Sequence, residues 1–330
     1  MKPMAHNGFK ALTSAWVLAL LATVAWSQSL TWLGTLPGGD ITYAHAVTDG
    51  AVVVGWAYNA SRQWRAFRWT ASEGMQNLGT LGGNESWAWG VSANGAVVVG
   101  EAHNDAGQRR AFRWENGVMQ DLGTLPSGTW SGARGVSADG DVVVGVAPNA
   151  AGLWRAFRWE NGVMQDLGTL PGGNQSHALG VSADGAVVVG FAEKVAGQQY
   201  RAFRWENGVM QDLGTLGGGF SRAWGVSADG AVVVGVAQNA AVQSRAFRWT
   251  ASGGMEDLNT TYASLLTNGS VLRSASAISP DGRYIVGQGY NAATGRTEAF
   301  LLDTIPEPAS LIALGAGLAG LVGLRRRKQA

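Results

Sequence analysis

Short runs with apolar residues at alternate positions follow one another along the chain from about residue 30 to residue 303. Asn-Gly and Asp-Gly pairs stand between many of these runs, and such pairs are the strongest short-range indication of a β-hairpin. No amphipathic helix pattern is evident between the two ends of the chain. The pattern therefore predicts an all-β protein. In one representative stretch, the predicted strands are 87–92, 96–101, 110–114 and 118–125.

One unit of sequence recurs about six times. Arg-Ala-Phe-Arg-Trp, Val-Val-Val-Gly and Leu-Gly-Thr-Leu each occur five times at intervals of 44 to 46 residues, and each has a weaker sixth copy. A repeat of this length with four strands is typical of a β-propeller blade, which buries both faces against its neighbours. A β-solenoid is the alternative, although its coils are usually shorter. The full copies begin at residues 65, 110, 155, 201 and 245, at 52, 97, 142, 187 and 232, and at 33, 78, 122, 167 and 213.

The repeats predict a six-bladed β-propeller of four-stranded units over residues 29–303. After residue 302 the chain lacks a closing Leu-Gly-Thr-Leu strand, whereas an unpaired copy stands at 33–36, before the first full unit. We therefore expect the segment 33–36 to pair beside Phe300 and to complete the last blade. Such a closure hides the strand edges that open sheets expose to aggregation.

The first residues have the layout of a secretory signal. Lys2 and Lys10 precede an apolar run at 15–25, and small and polar residues follow that run. This order of charge, short apolar core and small-residue exit is typical of a signal peptide. We expect residues 1–27 to form a removable signal helix.

The last residues have the layout of a membrane-sorting tail. Pro306, Glu307 and Pro308 are followed by an apolar run at 309–324 and by four basic residues at 325–328. The apolar run predicts a slightly short membrane helix whose basic end stays cytoplasmic. These residues resemble the PEP-CTERM sorting tail. The resemblance implies that residues 304–330 hold the protein in the inner membrane until an exosortase cuts at the Pro-Glu-Pro site and passes it to the cell surface or the medium.

The repeat strings themselves resemble the HAF-type extracellular repeats, which are named for His-Ala-Phe. This chain has Arg or Glu at the first of those three positions. The match otherwise extends over nearly all of the chain between the two ends, including Leu-Gly-Thr-Leu, Val-Gly and the Asp-Gly turns. The resemblance implies an extracellular repeat fold, and it implies no particular chemistry.

Composition and charge exclude several further classes of site and partner. The chain contains no cysteine, so neither disulfides nor thiolate metal sites are available. Six of the 24 Lys and Arg residues lie in the two terminal segments, so the part between them is net negative, which argues against nucleic acid as a partner.

Candidate chemistry is sparse. The four His residues do not recur at one position of the repeat and form no metal or hydrolase motif, so we expect no catalytic residue, no metal site and no cofactor. The Asp residues before Gly are explained as hairpin turns rather than as calcium ligands. The second Arg of each Arg-Ala-Phe-Arg-Trp string is expected to lie over apolar surface. Asp121 and its equivalents at 166, 212 and 257 are the expected ion-pair partners of these Arg residues.

The most informative residues vary where the rest repeats. In the strand before each Asn-Gly or Asp-Gly hairpin, one position is always Ala, and the positions on its two sides differ from unit to unit. If this strand is innermost, these flanking residues gather near the central channel. Aromatic and cationic groups there suit a sugar ring or an anionic polymer, although filling of gaps between blades also explains them. The candidate ligand-binding residues are Tyr43, His45, Trp87, Trp89, Arg134, His177, Arg222 and Trp224.

These observations predict a non-enzymatic, exported protein of the cell surface or biofilm matrix that binds extracellular polysaccharide or another secreted partner. One alternative is a propeller enzyme acting on glycans, which needs a close pair of carboxylates that the variable positions lack. Another is an ice-binding or adhesion protein. A flat ice-binding face is expected to carry a regular Thr array, whereas each Leu-Gly-Thr-Leu string contributes one Thr.

Overall fold

A computed structural model describes residues 30–195 and 199–305. The expected signal helix at 1–27 and the sorting motif at Pro306, Glu307 and Pro308 lie outside these residues. Within the described residues, no helix is both long and apolar enough to cross a membrane.

The chain forms six antiparallel sheets, one after another, and this confirms the predicted all-β, six-bladed propeller. Strands pair in sequence order within each sheet, so every blade is an up-and-down meander. The first three sheets contain β1 (Thr42–Val47), β2 (Val53–Tyr58), β3 (Trp64–Thr70) and β4 (Gly74–Asn77); β5 (Gly82–Val91), β6 (Val97–Asn104), β7 (Arg109–Glu115) and β8 (Val118–Asp121); and β9 (Gly132–Val136), β10 (Val143–Pro148), β11 (Trp154–Glu160) and β12 (Val163–Asp166).

The last three sheets follow the same order. A four-residue helix, α1 (Leu258–Thr261), and a 3-10 turn at Ala263–Leu265 precede the sixth sheet and account for its longer repeat. These sheets contain β13 (Ser176–Val181), β14 (Val188–Val195), β15 (Gln199–Glu206) and β16 (Val209–Asp212); β17 (Gly217–Val226), β18 (Val232–Asn239), β19 (Ser244–Thr250) and β20 (Gly254–Asp257); and β21 (Val271–Ile278), β22 (Tyr284–Asn291) and β23 (Arg296–Asp303).

In the last four blades, the hairpin between the first two strands is fixed by an Asp-Gly pair. Asp139 accepts hydrogen bonds from the Ser137 hydroxyl at 2.5 Å and from the Asp141 backbone N–H at 3.0 Å. Gly140 has φ +87°, a left-handed conformation that favours glycine. The Ser137 hydrogen bond is the main reason why the pKa of Asp139 is lowered. The same contacts recur at Asp184, Asp229 and Asp281, so these carboxylates serve the turns.

Neighbouring blades pack through the repeated aromatic strand. Phe157 and Trp159 are buried in a cluster that also contains Val97 and Val99 of the preceding blade. The Nε of Arg158 donates to the Gly185 carbonyl oxygen of the next hairpin at 3.0 Å. The corresponding bonds run from Arg68 to Gly95, from Arg113 to Gly140 and from Arg204 to Gly230.

The ion pairs of this strand differ from the expectation. In the first four blades, the second Arg of the string pairs with an acidic residue on its own hairpin, as Arg113 does with Glu115 at 2.8 Å. Asp121 pairs instead with the first Arg of the string, Arg110, at 3.8 Å. The register explains this, because Asp121 stands opposite Phe112 and Gln120 stands opposite Arg113. The equivalent carboxylates of Asp166 and Asp257 pair with Arg155 and Arg245, and that of Asp212 pairs with Lys194.

In the described part of the chain, the seam between the last and first blades lacks the close strand-to-strand packing of the five interfaces before it. The sixth sheet has three strands, and no strand is assigned to residues 30–41, so the expected pairing of 33–36 beside Phe300 is not seen. Leu36 is instead buried against Ala57 and Phe67 of the first sheet. Val286 is 41% exposed and Leu301 is 68% exposed. The expected closing strand was wrong because the Leu-Gly-Thr-Leu string follows the fourth strand and does not form it: in the second blade, β8 ends at Asp121 and residues 122–125 are a connection.

Candidate functional site

A β-bulge in the first strand of each blade directs one side chain into the central channel. In the second blade, Ala88 pairs with Gly100 and Gly90 pairs with Val99, so Trp89 is the extra residue between two regular pairs. The same shift in register occurs in the five other blades. A bulge twists the strand and re-aims the extra side chain. The six bulge residues line a cavity of about 400 Å³, and they are His45, Trp89, Arg134, Leu179, Trp224 and Ser276.

The glycine of each Val-Val-Val-Gly string allows the first two strands to approach closely beside this cavity. A Cβ added to Gly190 would lie 1.9 Å from the carbonyl oxygen of His177, and one added to Gly100 would lie 2.0 Å from that of Trp87. Any larger residue would push the inner strand away from its partner. The invariant glycine thus holds the variable residues of the inner strand in place.

The eight predicted residues separate into two groups. His45, Trp89, Arg134 and Trp224 are bulge residues that line the cavity. Tyr43, Trp87, His177 and Arg222 stand two positions earlier in their blades and face residues of the second strand across a regular pair. Tyr43, His45 and Trp224 are exposed and the other five are half-buried, so none of the eight is closed off from solvent. Their binding of a ligand stays a prediction.

One cluster of aromatic rings crosses from the first blade to the second. The ring centroids of Trp56 and Trp89 are 4.7 Å apart, and His45 meets Trp89 edge-on at 4.7 Å. Tyr43 approaches Trp56 at 6.1 Å. Desolvation among these rings, together with the charge of Arg134, lowers the pKa of His45. His45 is therefore neutral at pH 7 and acts as an aromatic and hydrogen-bonding group.

Arg134 extends this cluster into the third blade. Its guanidinium carbon lies 4.7 Å from the centroid of the Trp89 ring, a cation–π geometry. The Glu101 carboxylate, which is 4% exposed, lies 3.7 Å from an Nη of Arg134 and 3.5 Å from an Nη of Arg109. Burial lowers the pKa of Arg134 and Glu101 opposes that shift. Glu101 thus compensates the charge of Arg134 and orients its guanidinium over Trp89.

A second cluster covers the third to the fifth blade. His177 stacks on Phe191 with 4.5 Å between ring centroids and meets Trp154 edge-on at 5.2 Å. Burial, with a contribution from Arg222, lowers the pKa of His177 to about 4. The guanidinium of Arg222 lies 4.4 Å from the Phe191 centroid, 5.1 Å from that of Phe220 and 5.6 Å from that of Tyr200. This surface is therefore aromatic, with one cation on it.

Three polar atoms of the two clusters are buried without a hydrogen-bond partner among the described residues. They are the Nε1–H of Trp89, the Oε2 of Glu101 and the Nε–H of Arg222. Buried polar groups are nearly always paired in folded proteins, and leaving one unpaired costs about 1 to 3 kcal/mol. All three atoms are buried, so none of them is itself open to a ligand, and the Oε2 of Glu101 faces an Nη of Arg134 at 3.7 Å.

Several residues of these clusters were not predicted from the sequence. Trp56, Glu101 and Phe191 all occupy the position that follows the glycine of the Val-Val-Val-Gly string. This position varies among the blades as strongly as the flanks of the constant Ala do. The criterion that selected the inner-strand residues, variation within a constant frame, would have found them on the second strand as well.

Comparison with known proteins gives an independent result for the C-terminus. Residues 304–328 match the PEP-CTERM protein-sorting motif. No curated protein shows significant sequence similarity to the chain.

Solved structures share the fold at low sequence identity. TolB from Acinetobacter baumannii is 14% identical with a TM-score of 0.50, over 76% of this chain and 60% of that one. A prolyl endopeptidase is 11% identical with a TM-score of 0.54, over 81% of this chain and 42% of that one. This chain therefore spans less than two thirds of either protein, and at such identity the likeness shows the fold alone. The sorting motif implies an exported, exosortase-processed surface protein with a transient membrane anchor, and the domain that is exported is a β-propeller.

Proposed function

We propose that the protein is a non-enzymatic component of the cell surface or biofilm matrix whose central cavity binds extracellular polysaccharide. The observation that carries the proposal is the cavity of about 400 Å³, to which the six blades contribute different side chains although the sequence around them repeats. A packing position repeated by symmetry tends to keep one side chain, whereas a pocket for an asymmetric ligand must vary it. We also propose that the repeats are of the HAF type.

The chemistry of the cavity wall suits a sugar. Trp89 and Trp224 offer aromatic faces, and stacking of a sugar ring on such a face buries apolar C–H surface. His45 and Arg134 line the same cavity and supply polar groups beside these rings. A sugar hydroxyl can both accept and donate, so hydroxyls of one ligand can pair with the N–H groups of Arg134 and with the ring nitrogens of His45.

The proposal is tested by removing the two tryptophans together. Stacking on each Trp contributes about 1 to 2 kcal/mol, so the W89A/W224A variant is expected to bind the producing strain's exopolysaccharide tens of fold more weakly. Calorimetric titration of the purified full-length chain in detergent measures this. Tyr284→Ala is the matched control, because Tyr284 is 37% exposed, as Trp224 is, but does not line the cavity.

Two results would contradict the proposal. One is unchanged affinity in W89A/W224A while circular dichroism shows that the variant is folded. The other is release of reducing ends or unsaturated products from the polysaccharide, which would indicate an enzyme.

A further inference from the structure

Arg222 is the one cation of the candidate site whose charge is not balanced by a neighbouring carboxylate. It is half-buried on β17 and lies over the rings of Phe191, Phe220 and Tyr200. Within residues 30–195 and 199–305, no Asp or Glu forms an ion pair with it. Its Nε–H is buried and unpaired as well. The other arginine of the site, Arg134, has Glu101 beside it.

The carboxylate that could have balanced Arg222 is engaged elsewhere. Glu193 is 2% exposed and accepts a hydrogen bond from the Asn174 backbone N–H at 3.1 Å. Burial, and after it the negative charge of Glu193, raise the pKa of the nearby Tyr200 hydroxyl. Glu193 therefore lies close to Tyr200 and forms no ion pair with Arg222 among the described residues.

The surroundings of Arg222 select the kind of group that can bind it. Its planar face is covered by aromatic rings and its Nε–H is buried, so the edge formed by its two Nη groups is the part that remains for a ligand. That edge matches the two oxygens of a carboxylate and forms strong, charge-assisted hydrogen bonds with them. The adjoining His177 is neutral near pH 7, so the aromatic surface beside the cation can contact an uncharged sugar ring.

We infer that the Arg222 cluster, made of Arg222, Phe191, Phe220 and Tyr200, binds the carboxylate of a uronic-acid unit, so that the ligand is an acidic polysaccharide. This inference rests on the proposed function and names its substrate class. The carboxylate occupies the N–H edge of Arg222, and the sugar ring that carries it lies against the neighbouring aromatic side chains.

The experiment compares two forms of one polymer. Polygalacturonate carries a carboxylate on every unit, and its fully methyl-esterified form has the same backbone without the charge. We expect the full-length chain to bind the acid form about tenfold to a hundredfold more tightly than the ester, which is the range for a charged hydrogen bond. Added salt should weaken binding of the acid form and leave binding of the ester unchanged.

Substitution of the arginine assigns the preference to this cluster. In R222Q, the acid form should bind no more tightly than the ester, and R222K should retain part of the preference because it keeps the charge without the planar donor edge. R296Q is the matched control, since Arg296 is an exposed arginine of the sixth sheet and should leave the preference intact.

The outcomes separate this inference from the proposed function. Equal binding of acid and ester by the unaltered chain, with W89A/W224A still weakening both, overturns the role of Arg222 and leaves a neutral-sugar site. A preference for the acid form that survives in both R222Q and R222K also overturns it. Insensitivity of all polysaccharide binding to W89A/W224A overturns the proposed function itself.

Discussion

The second arginine of each Arg-Ala-Phe-Arg-Trp string joins its blade to the next one. Arg158 donates from Nε to the Gly185 carbonyl oxygen at 3.0 Å and from Nη1 to Glu160 at 2.8 Å. Arg248, the equivalent residue of the fifth blade, has a buried Nε without an acceptor. The same side chain therefore makes the inter-blade bond in one place and fails to make it in another, although both lie on the same strand of the repeat.

This difference predicts unequal costs for one substitution. Arg158→Met removes a charged hydrogen bond and leaves the Gly185 carbonyl unpaired, whereas Arg248→Met removes a group that is itself unpaired. We expect R158M to lower the free energy of unfolding by about 1 to 2 kcal/mol more than R248M. Urea denaturation of the two variants measures the difference. Equal losses would mean that the bond to the next hairpin adds nothing to stability.

At the scale of the strand, the sequence predicts those features that depend only on neighbouring residues. The strands and the Asp-Gly hairpins follow from alternation and turn residues, as Ser137, Asp139 and Gly140 illustrate. The bulge at Trp89 does not follow, because it depends on how Ala88 and Gly90 register with the neighbouring strand. Alternation alone places residues 87 and 89 on one face, and the bulge is what sends only the second into the cavity. The predicted ion-pair partner of Asp121 was wrong because it too depends on the register between two strands.

The whole ring shows why its closure was harder to predict. Along the described chain, hairpins are joined by bonds such as Ala93 N–H to the Ala138 carbonyl at 3.1 Å and Ala228 N–H to the Pro280 carbonyl at 2.9 Å. Pro280 has no backbone N–H, so it cannot donate the corresponding hydrogen bond to the first blade. Leu301 replaces the arginine that would have made the other inter-blade bond. The unpaired copy at 33–36 suggested a closing strand, but this string follows the fourth strand in the other blades and forms no strand itself. Pro280 and Leu301 in addition remove two polar contacts that join most of the other blades.

The seam is therefore expected to open first. Val286 is 41% exposed, whereas its equivalent Val234 in the fifth blade is fully buried. Backbone amides of β21 to β23 should exchange with deuterium at least tenfold faster than those of β13 to β15, since protection follows the local free energy of opening. Exchange at native pH, resolved by mass spectrometry of peptides, measures this. Uniform protection across the six sheets would show a seam as stable as the other interfaces.

The most direct test of the binding account is hydrogen exchange of the full-length chain with and without the strain's exopolysaccharide. Bound polymer should slow exchange at the inner strands β1, β5 and β17, which carry His45, Trp89, Arg222 and Trp224, and should leave the outer strands β4, β8 and β12 unchanged. Protection confined to the outer strands, or no protection at a polymer concentration that gives measurable binding, would contradict the claim that the non-repeating residues of the channel form the binding site.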